Sequence, residues 1–202
     1  MSVDGPAPPP RVDPRELDAE LVLAIARGAV DERFGATALV PPAHAWLDRP
    51  AATFVTINRG EQLHGCIGSI EVRVSLREDL RHNAVMAAFH DPRTRALRAA
   101  ELDLVRFSVS VLGPRSALQF SDEADARRRL RPRVDGLIMA CNGHRGVFLP
   151  KVWDALPEAG AFLDNLKRKA GLAANFWSPT LTLERFEVVE FAEPRTRSPA
   201  SP

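Results

Sequence analysis

The densest chemistry in this sequence sits in Leu63-His64-Gly65-Cys66-Ile67-Gly68-Ser69-Ile70-Glu71, where two glycines bracket a cysteine. A thiolate is the nucleophilic form of cysteine, and a neighbouring cation favours it. Residues two apart on a strand share a face, so His64 and Cys66 are expected to point the same way. An imidazolium at position 64 would then hold the thiolate. Glycine inside an apolar strand marks a bulge or a close approach of ligand or backbone. Two readings follow. Gly65 and Gly68 could leave backbone N–H groups around Cys66 free to face an incoming oxygen, with Cys66 and His64 as candidate catalytic residues. Alternatively Cys66 is a small buried hydrophobe and the glycines serve close packing.

A second cluster comprises Asn83, His90, Asp91 and Arg93. Asn83 and His90 are two helical turns apart and share a face. Asp91 and Arg93 leave the C-terminal end of that helix, where a cation is favoured by the dipole. Arg93 could hold a carboxylate or phosphate in a bidentate fork. The competing reading is an Asp–Arg pair that staples the loop. His44, His82 and His144 fall in loops or on a polar helix face, and no helix pairs histidines at i, i+4, so no metal is expected. Arg127, Arg128, Arg129, Arg131 and Arg133 form the one basic run. It lacks interleaved aromatics and follows Asp122, Glu123 and Asp125, which fits a solvated helix face better than an RNA groove. No Walker loop or GxGxxG occurs, so no nucleotide or flavin cofactor is expected.

The elements that must position these residues follow from periodicity and punctuation. Asp13-Pro14 reads as an N-cap and first helical residue, with Leu17, Leu21, Ala24 and Ile25 at helical spacing. Trp46 lies in a proline-punctuated loop and reads as a plug over the core. Residues 52–57 alternate as a strand, 58–61 is turn chemistry, and the glycine-bracketed stretch completes a hairpin. Ser75 and Glu78 form a capping box for a helix carrying Leu76, Leu80, Ala84 and Ala87, which Pro92 stops near His90. Residues 104–112 form a third strand. Ser121 caps a short charged helix over 122–130. Residues 134–140 and 147–149 read as strands around a turn at 141–146, Phe162 to Ala170 as a helix with Gly171 at C′, and 181–191 as a last strand. Both halves thus read strand–turn–strand–helix–strand, and hairpins make antiparallel pairing the default.

The expected fold is therefore α+β: two lobes of β-β-α-β character, over 13–113 and 114–193, mostly antiparallel sheet flanked by helices. Proline-rich tails are expected over 1–12 and 194–202. The 202 residues, 45% of them apolar, suffice for a substantial core. Twenty-seven basic against 26 acidic residues leave a charge of +1, so nothing global points to nucleic acid or an anionic membrane. With only Cys66 and Cys141, a disulfide scaffold is excluded. No leader or membrane-length apolar run occurs, so a cytoplasmic location is expected.

LHGCIGSIE resembles the LRGCIG signature of the AMMECR-one domain family, more narrowly the bacterial form called AmmeMemoRadiSam system protein A. The similarity continues through EDLRHNAVMAAFHDPRT, ELDLVRFSVSVLGP, VDGLIMACNGHRGVFLPKVWDALP and FLDNLKRKAGL, from about Leu17 to Glu193. The resemblance implies an α+β domain of two lobes with a cleft between them. It also implies association with a Memo-like protein and a radical-SAM protein, with no settled activity. The matching family stretch NA..AAF.DPRF marks Asn83, Asp91 and Arg93, together with Glu71, as candidate substrate-binding residues. Three positions depart from the family pattern: His64 for Arg, Thr94 for an aromatic and Lys151 for Gln. At position 64 a permanent charge is thereby exchanged for one that titrates near neutrality. Two roles stay open: a component that works on a small or peptide-borne substrate through Cys66, or a non-catalytic adaptor.

Overall fold

Two N-caps in succession set the first elements of the computed structural model, which describes residues 11–194. Asp13 accepts from the Arg15 N–H at a single 3-10 turn, Pro14–Glu16. Leu17 is extended, and Asp18 then accepts from the Leu21 N–H to open α1, Ala19–Asp31. The helix therefore begins later than the Asp13-Pro14 signal suggests. Of the expected tails, all but Arg11, Val12 and Pro194 lie outside the described residues. Val12 is a correction: it is buried in the core with Leu17 and Val22.

The following elements are β1, Pro50–Ala51; β2, Thr53–Arg59; β3, Gln62–Gly68; β4, Val74–Ser75; α2, Leu76–Phe89; and β5, Arg106–Leu112. Next come β6, Ser116–Ala117; α3, Glu123–Arg129; β7, Gly136–Cys141; β8, His144–Phe148; α4, Ala159–Lys169; β9, Thr182–Phe186; and β10, Val188–Ala192. The Ser75–Glu78 capping box forms in both directions, and α2 stops at His90 as Pro92 requires. Asp122, not Ser121, caps α3. The β7–β8 turn is shorter than expected: Asn142 and Gly143 alone make it, both at positive φ. The expected last strand is two strands in different sheets, divided at Glu187.

The chain forms two compact units, residues 11–112 with 189–194, and residues 113–188. In the first, the sheet order is β10-β5-β2-β3, with β2 antiparallel to both β3 and β5. Alternation along β2 sends Val55 and Ile57 into a core with Phe107 and Val109 of β5, Ile25 of α1 and Leu80 and Ala84 of α2. In the second unit the order is β6-β9-β7-β8, again antiparallel in every pair. Its core packs Leu137, Met139 and Cys141 of β7 against Phe162, Leu163 and Leu166 of α4. Trp153 stacks on Phe162 at a 3.8 Å centroid distance and donates its indole N–H to the Asp135 carbonyl.

Both units run β-β-α-β, as the sequence leads one to expect. In each, the strand after the helix pairs with the first strand of the hairpin and leaves the second at the sheet edge. The likeness extends to single residues. A Cβ on Gly65, opposite Ile57, would meet the Ala87 carbonyl oxygen of α2 at 2.0 Å. A Cβ on Gly146, opposite Met139, would meet the Leu166 carbonyl oxygen of α4 at 2.9 Å. One residue later, the Cys66 carbonyl accepts from Arg93 Nη2 at 3.0 Å and the Val147 carbonyl from Lys169 Nζ at 2.8 Å. Each edge strand thus lies against its helix through a glycine and has a carbonyl covered by a cation from the helix end.

Because the atom facing Gly65 is main chain, Gly65→Ala cannot be absorbed by a rotamer change. The substitution should destabilise the protein by about 3 kcal/mol in urea unfolding. An unchanged midpoint would show that β3 does not need this approach to α2.

Candidate functional site

An edge strand must find partners other than a strand for its outer backbone groups. At Cys66 both groups are met by one ion pair. The Cys66 N–H donates to Asp91 Oδ2 at 2.8 Å, and its carbonyl accepts from Arg93 Nη2. Asp91 and Arg93 are joined to each other, Nη2 to Oδ2 at 2.6 Å and Nε to Oδ1 at 2.9 Å, and the Arg93 N–H also donates to Oδ1. The Asp91 side chain is fully buried, whereas that of Arg93 is 58% exposed. Hydrogen bonding from Arg93 holds the Asp91 carboxyl well below the usual carboxylate range; burial opposes this, and the Cys66 and Arg93 N–H groups reinforce it. The same pairing raises Arg93 above its ordinary value.

The Cys66 N–H is therefore engaged, contrary to the expectation that the flanking glycines leave it free. Gly65 sits on α2, and a Cβ on Gly68 would meet the Phe54 ring at 2.2 Å. Both glycines serve close packing. The thiol, however, is no core hydrophobe. Cys66 pairs with Thr56, whose neighbours Val55 and Ile57 point into the helix-covered core, so Thr56 and Cys66 share the opposite face of the sheet. There Cys66 is half-buried, and the Thr56 hydroxyl donates to its sulfur at 3.2 Å. Ser108 of β5 stands across from Thr56.

His64 does not take the expected role. The β2–β3 register shifts beside it, with Ile57 opposite Gly65 and Asn58 opposite Leu63, which leaves His64 as the extra residue of a bulge. Its Nε2 is buried without a hydrogen-bond partner. The cation hydrogen-bonded to Cys66 is Arg93.

Asn83 is also placed differently from expectation. It is buried and donates to the Thr53 carbonyl and hydroxyl, Ser69 Oγ and Asp79 Oδ2. Asp79 accepts besides from the Thr53 N–H and hydroxyl and from Ser69 Oγ, each at 2.7 Å. This network ties the start of β2 and the end of β3 to α2. His90, expected on the face of Asn83, is exposed at the helix end. Glu71 is half-buried in the loop between β3 and β4. Of the sequence candidates, the structure brings together Cys66, Asp91 and Arg93. Sequence reasoning missed Thr56, Thr53, Ser69 and Asp79. Asp79 and Asn83 at i, i+4 on an otherwise apolar helix face were the available signal, as was Thr53 on the buried side of its strand.

The basic run is largely neutralised. Arg127 pairs with Glu123 and Asp164, Arg128 and Arg129 with Asp125, and Arg131 with Asp135 and Glu187. The duplicated architecture separates scaffold from site in the first unit. At the position equivalent to Cys66 the second unit has Val147, and Lys169 covers its carbonyl. A thiol and a buried carboxylate are thus not needed to close such an edge.

A family model described as AMMECR1 matches residues 23–191. A protein of Methanothermobacter thermautotrophicus is 38% identical over 146 residues, 69% of this chain and 74% of the relative. One of Aeropyrum pernix is 33% identical over 204 aligned positions, covering 94% of this chain and 86% of its own length. Among solved structures, that of the uncharacterized protein PH0010 from Pyrococcus horikoshii superposes with a TM-score of 0.76 at 28% identity, covering 90% of this chain and 94% of that one.

Asp91 gives this site a pH signature. Its folded carboxyl titrates below its ordinary value, so its stabilisation is complete above that value and fades as the pH falls through and below about 4. Asp91→Asn puts an amide donor among N–H donors and should cost about 2 kcal/mol near neutrality, discounted for the exposure of Arg93. Urea titrations across the acid range should show the gap between the two proteins closing as the pH drops. A gap independent of pH would exclude the ionised carboxylate as its source.

Proposed function

Because this chain belongs to the AMMECR1 family, we propose that it is the AMMECR component of a three-protein modification system with a Memo-like and a radical-SAM protein. In this reading Cys66 meets a small or peptide-borne substrate for transient attachment through sulfur. The supporting observation is the Thr56–Cys66 contact, a half-buried thiol on the sheet face away from the helices with a hydroxyl donating to its sulfur. The ion pair of Arg93 with Asp91 holds the Cys66 backbone on both sides and so fixes where the thiol stands. His64, the other candidate catalytic residue, is the extra residue of the β3 bulge. Action in the cytoplasm belongs to the same proposal; among the described residues no helix is long and apolar enough to cross a membrane.

A non-catalytic adaptor is the second reading. It is favoured by the closure of the β3 edge, since Asp91 and Arg93 are both engaged with each other and with the Cys66 backbone. The two readings part at the thiol. Cys66→Ser should abolish the system's product while capture of both partners from cells at native expression persists. Product formation that survives the substitution would assign the adaptor role, and failure to recover either partner would count against the system itself.

Reactivity can be measured directly. Cys141 is 3% exposed, so it serves as the internal standard for a buried thiol. Iodoacetamide should alkylate Cys66 in the native protein and Cys141 only after unfolding, resolved by peptide mass spectrometry. Thr56→Val should slow Cys66 alkylation by roughly 2–10-fold, the worth of one hydrogen bond. If Cys66 reacts only on unfolding, the nucleophile reading fails.

A further inference from the structure

A cavity of about 270 Å³ lies between α1, the loop that follows it and α2, away from Cys66. Ile25, Ala38, Leu39, Val40 and Pro41 supply its apolar wall, and Arg77 and Arg81 of α2 supply its charge. Apart from Ile25, the wall belongs to a stretch with no Asp, Glu, Lys or Arg from Gly35 to Leu47, in which Val40 is 87% exposed.

The two arginines, one helical turn apart on α2, are in different states. Arg81 is committed: its Nη1 and Nη2 donate to Glu32 at 3.0 and 2.6 Å. Glu32 also accepts from the Leu39 N–H, which seats the loop against α1. The Arg77 side chain makes no hydrogen bond among the described residues. It pairs with Asp48 Oδ1 at 3.6 Å, a long contact to a side chain that is 75% exposed. The Arg77 side chain itself is only 31% exposed. A side chain two-thirds shielded, whose ion pair is long and made to an exposed carboxylate, is incompletely compensated for its lost hydration, and an anion at the cavity mouth would supply the hydrogen bonds it lacks.

We propose that this cavity binds an aliphatic carboxylate. Its chain lies among Ile25, Leu39, Val40 and Pro41, and its carboxylate is held by Arg77, while Arg81, neutralised by Glu32, completes the lining. The volume falls just below the ~300–1,000 Å³ of sites for drug-sized ligands, which selects a short to medium chain over a long one.

Octanoate, n-octanol and octylammonium, titrated by calorimetry into the full-length protein, test the assignment. Octanoate should bind with one-to-one stoichiometry, and octanol about ten- to hundredfold more weakly, since only the carboxylate engages the guanidinium. Octylammonium should not bind. Arg77→Gln, which breaks no hydrogen bond of the fold, should bring octanoate down to the affinity of octanol. Ala38→Trp should fill the cavity and remove binding of both, with circular dichroism confirming that each variant is folded. Equal affinity for octanoate and octanol, undiminished octanoate binding by Arg77→Gln, or no octanoate binding at millimolar concentration would each overturn the proposal. An acetylated peptide ending in leucine that binds more tightly than octanoate would overturn it in favour of a protein C-terminus.

Discussion

The approach of β3 to α2 at Gly65 is the constraint from which the site follows. With no side chain between them, strand backbone and helix backbone meet directly, and the chain leaving α2 emerges beside the strand's outer edge. Asp91 and Arg93 are the residues delivered there. Their reach to the N–H and carbonyl of Cys66 depends on that closeness, as does the seclusion of the Asp91 carboxylate, which is buried while its partner stays in solvent. A larger residue at 65 would act first on packing and, through packing, on the electrostatics of the cysteine.

The same helix is fixed earlier along its length by a different device. Asp79 is a buried carboxylate that accepts four hydrogen bonds from neutral donors, two from Thr53, one from Ser69 and one from Asn83. Burying a charge is costly unless its acceptor capacity is met. Here it is met by residues from the start of β2, the end of β3 and α2, so the network fixes how these three elements meet. Asn83, which the family stretch marks as a substrate contact, has its amide nitrogen engaged in this frame. Cys66 and Thr56 stand outside this network, on the far side of the sheet.

The second unit gives an internal control on which features are architectural. It repeats the strand order, the glycine against a helix carbonyl and the cation over the edge carbonyl. It does not repeat the cysteine. Buried carboxylates occur in it for other purposes: Asp135 accepts from the Arg131 N–H and side chain. Lys167, fully buried, donates to Glu123 and the Ala174 carbonyl, which ties α3 and the chain after α4 to that helix. The combination of a thiol, a hydroxyl and an ion pair at one edge residue is confined, among the described residues, to β3.

The sequence by itself determined the elements whose signals are local. The Ser75–Glu78 capping box, the stop at Pro92, the β2–β3 hairpin, Gly171 at the end of α4 and the β-β-α-β order of both halves depend on residues a few positions apart, where steric and hydrogen-bonding rules act directly. The glycine-bracketed motif was legible as special, and so was the family. The tertiary structure decided what the special residues touch. Cys66 and Asp91 meet across 25 positions because β3 is an edge strand, and a strand's place in a sheet is set by long-range pairing that no local pattern encodes. The bulge at His64, the break at Glu187 that sends β10 to the other sheet and the burial of Val12 have the same origin. In each, a residue's environment is supplied by segments distant in the chain, and only their packing specifies it.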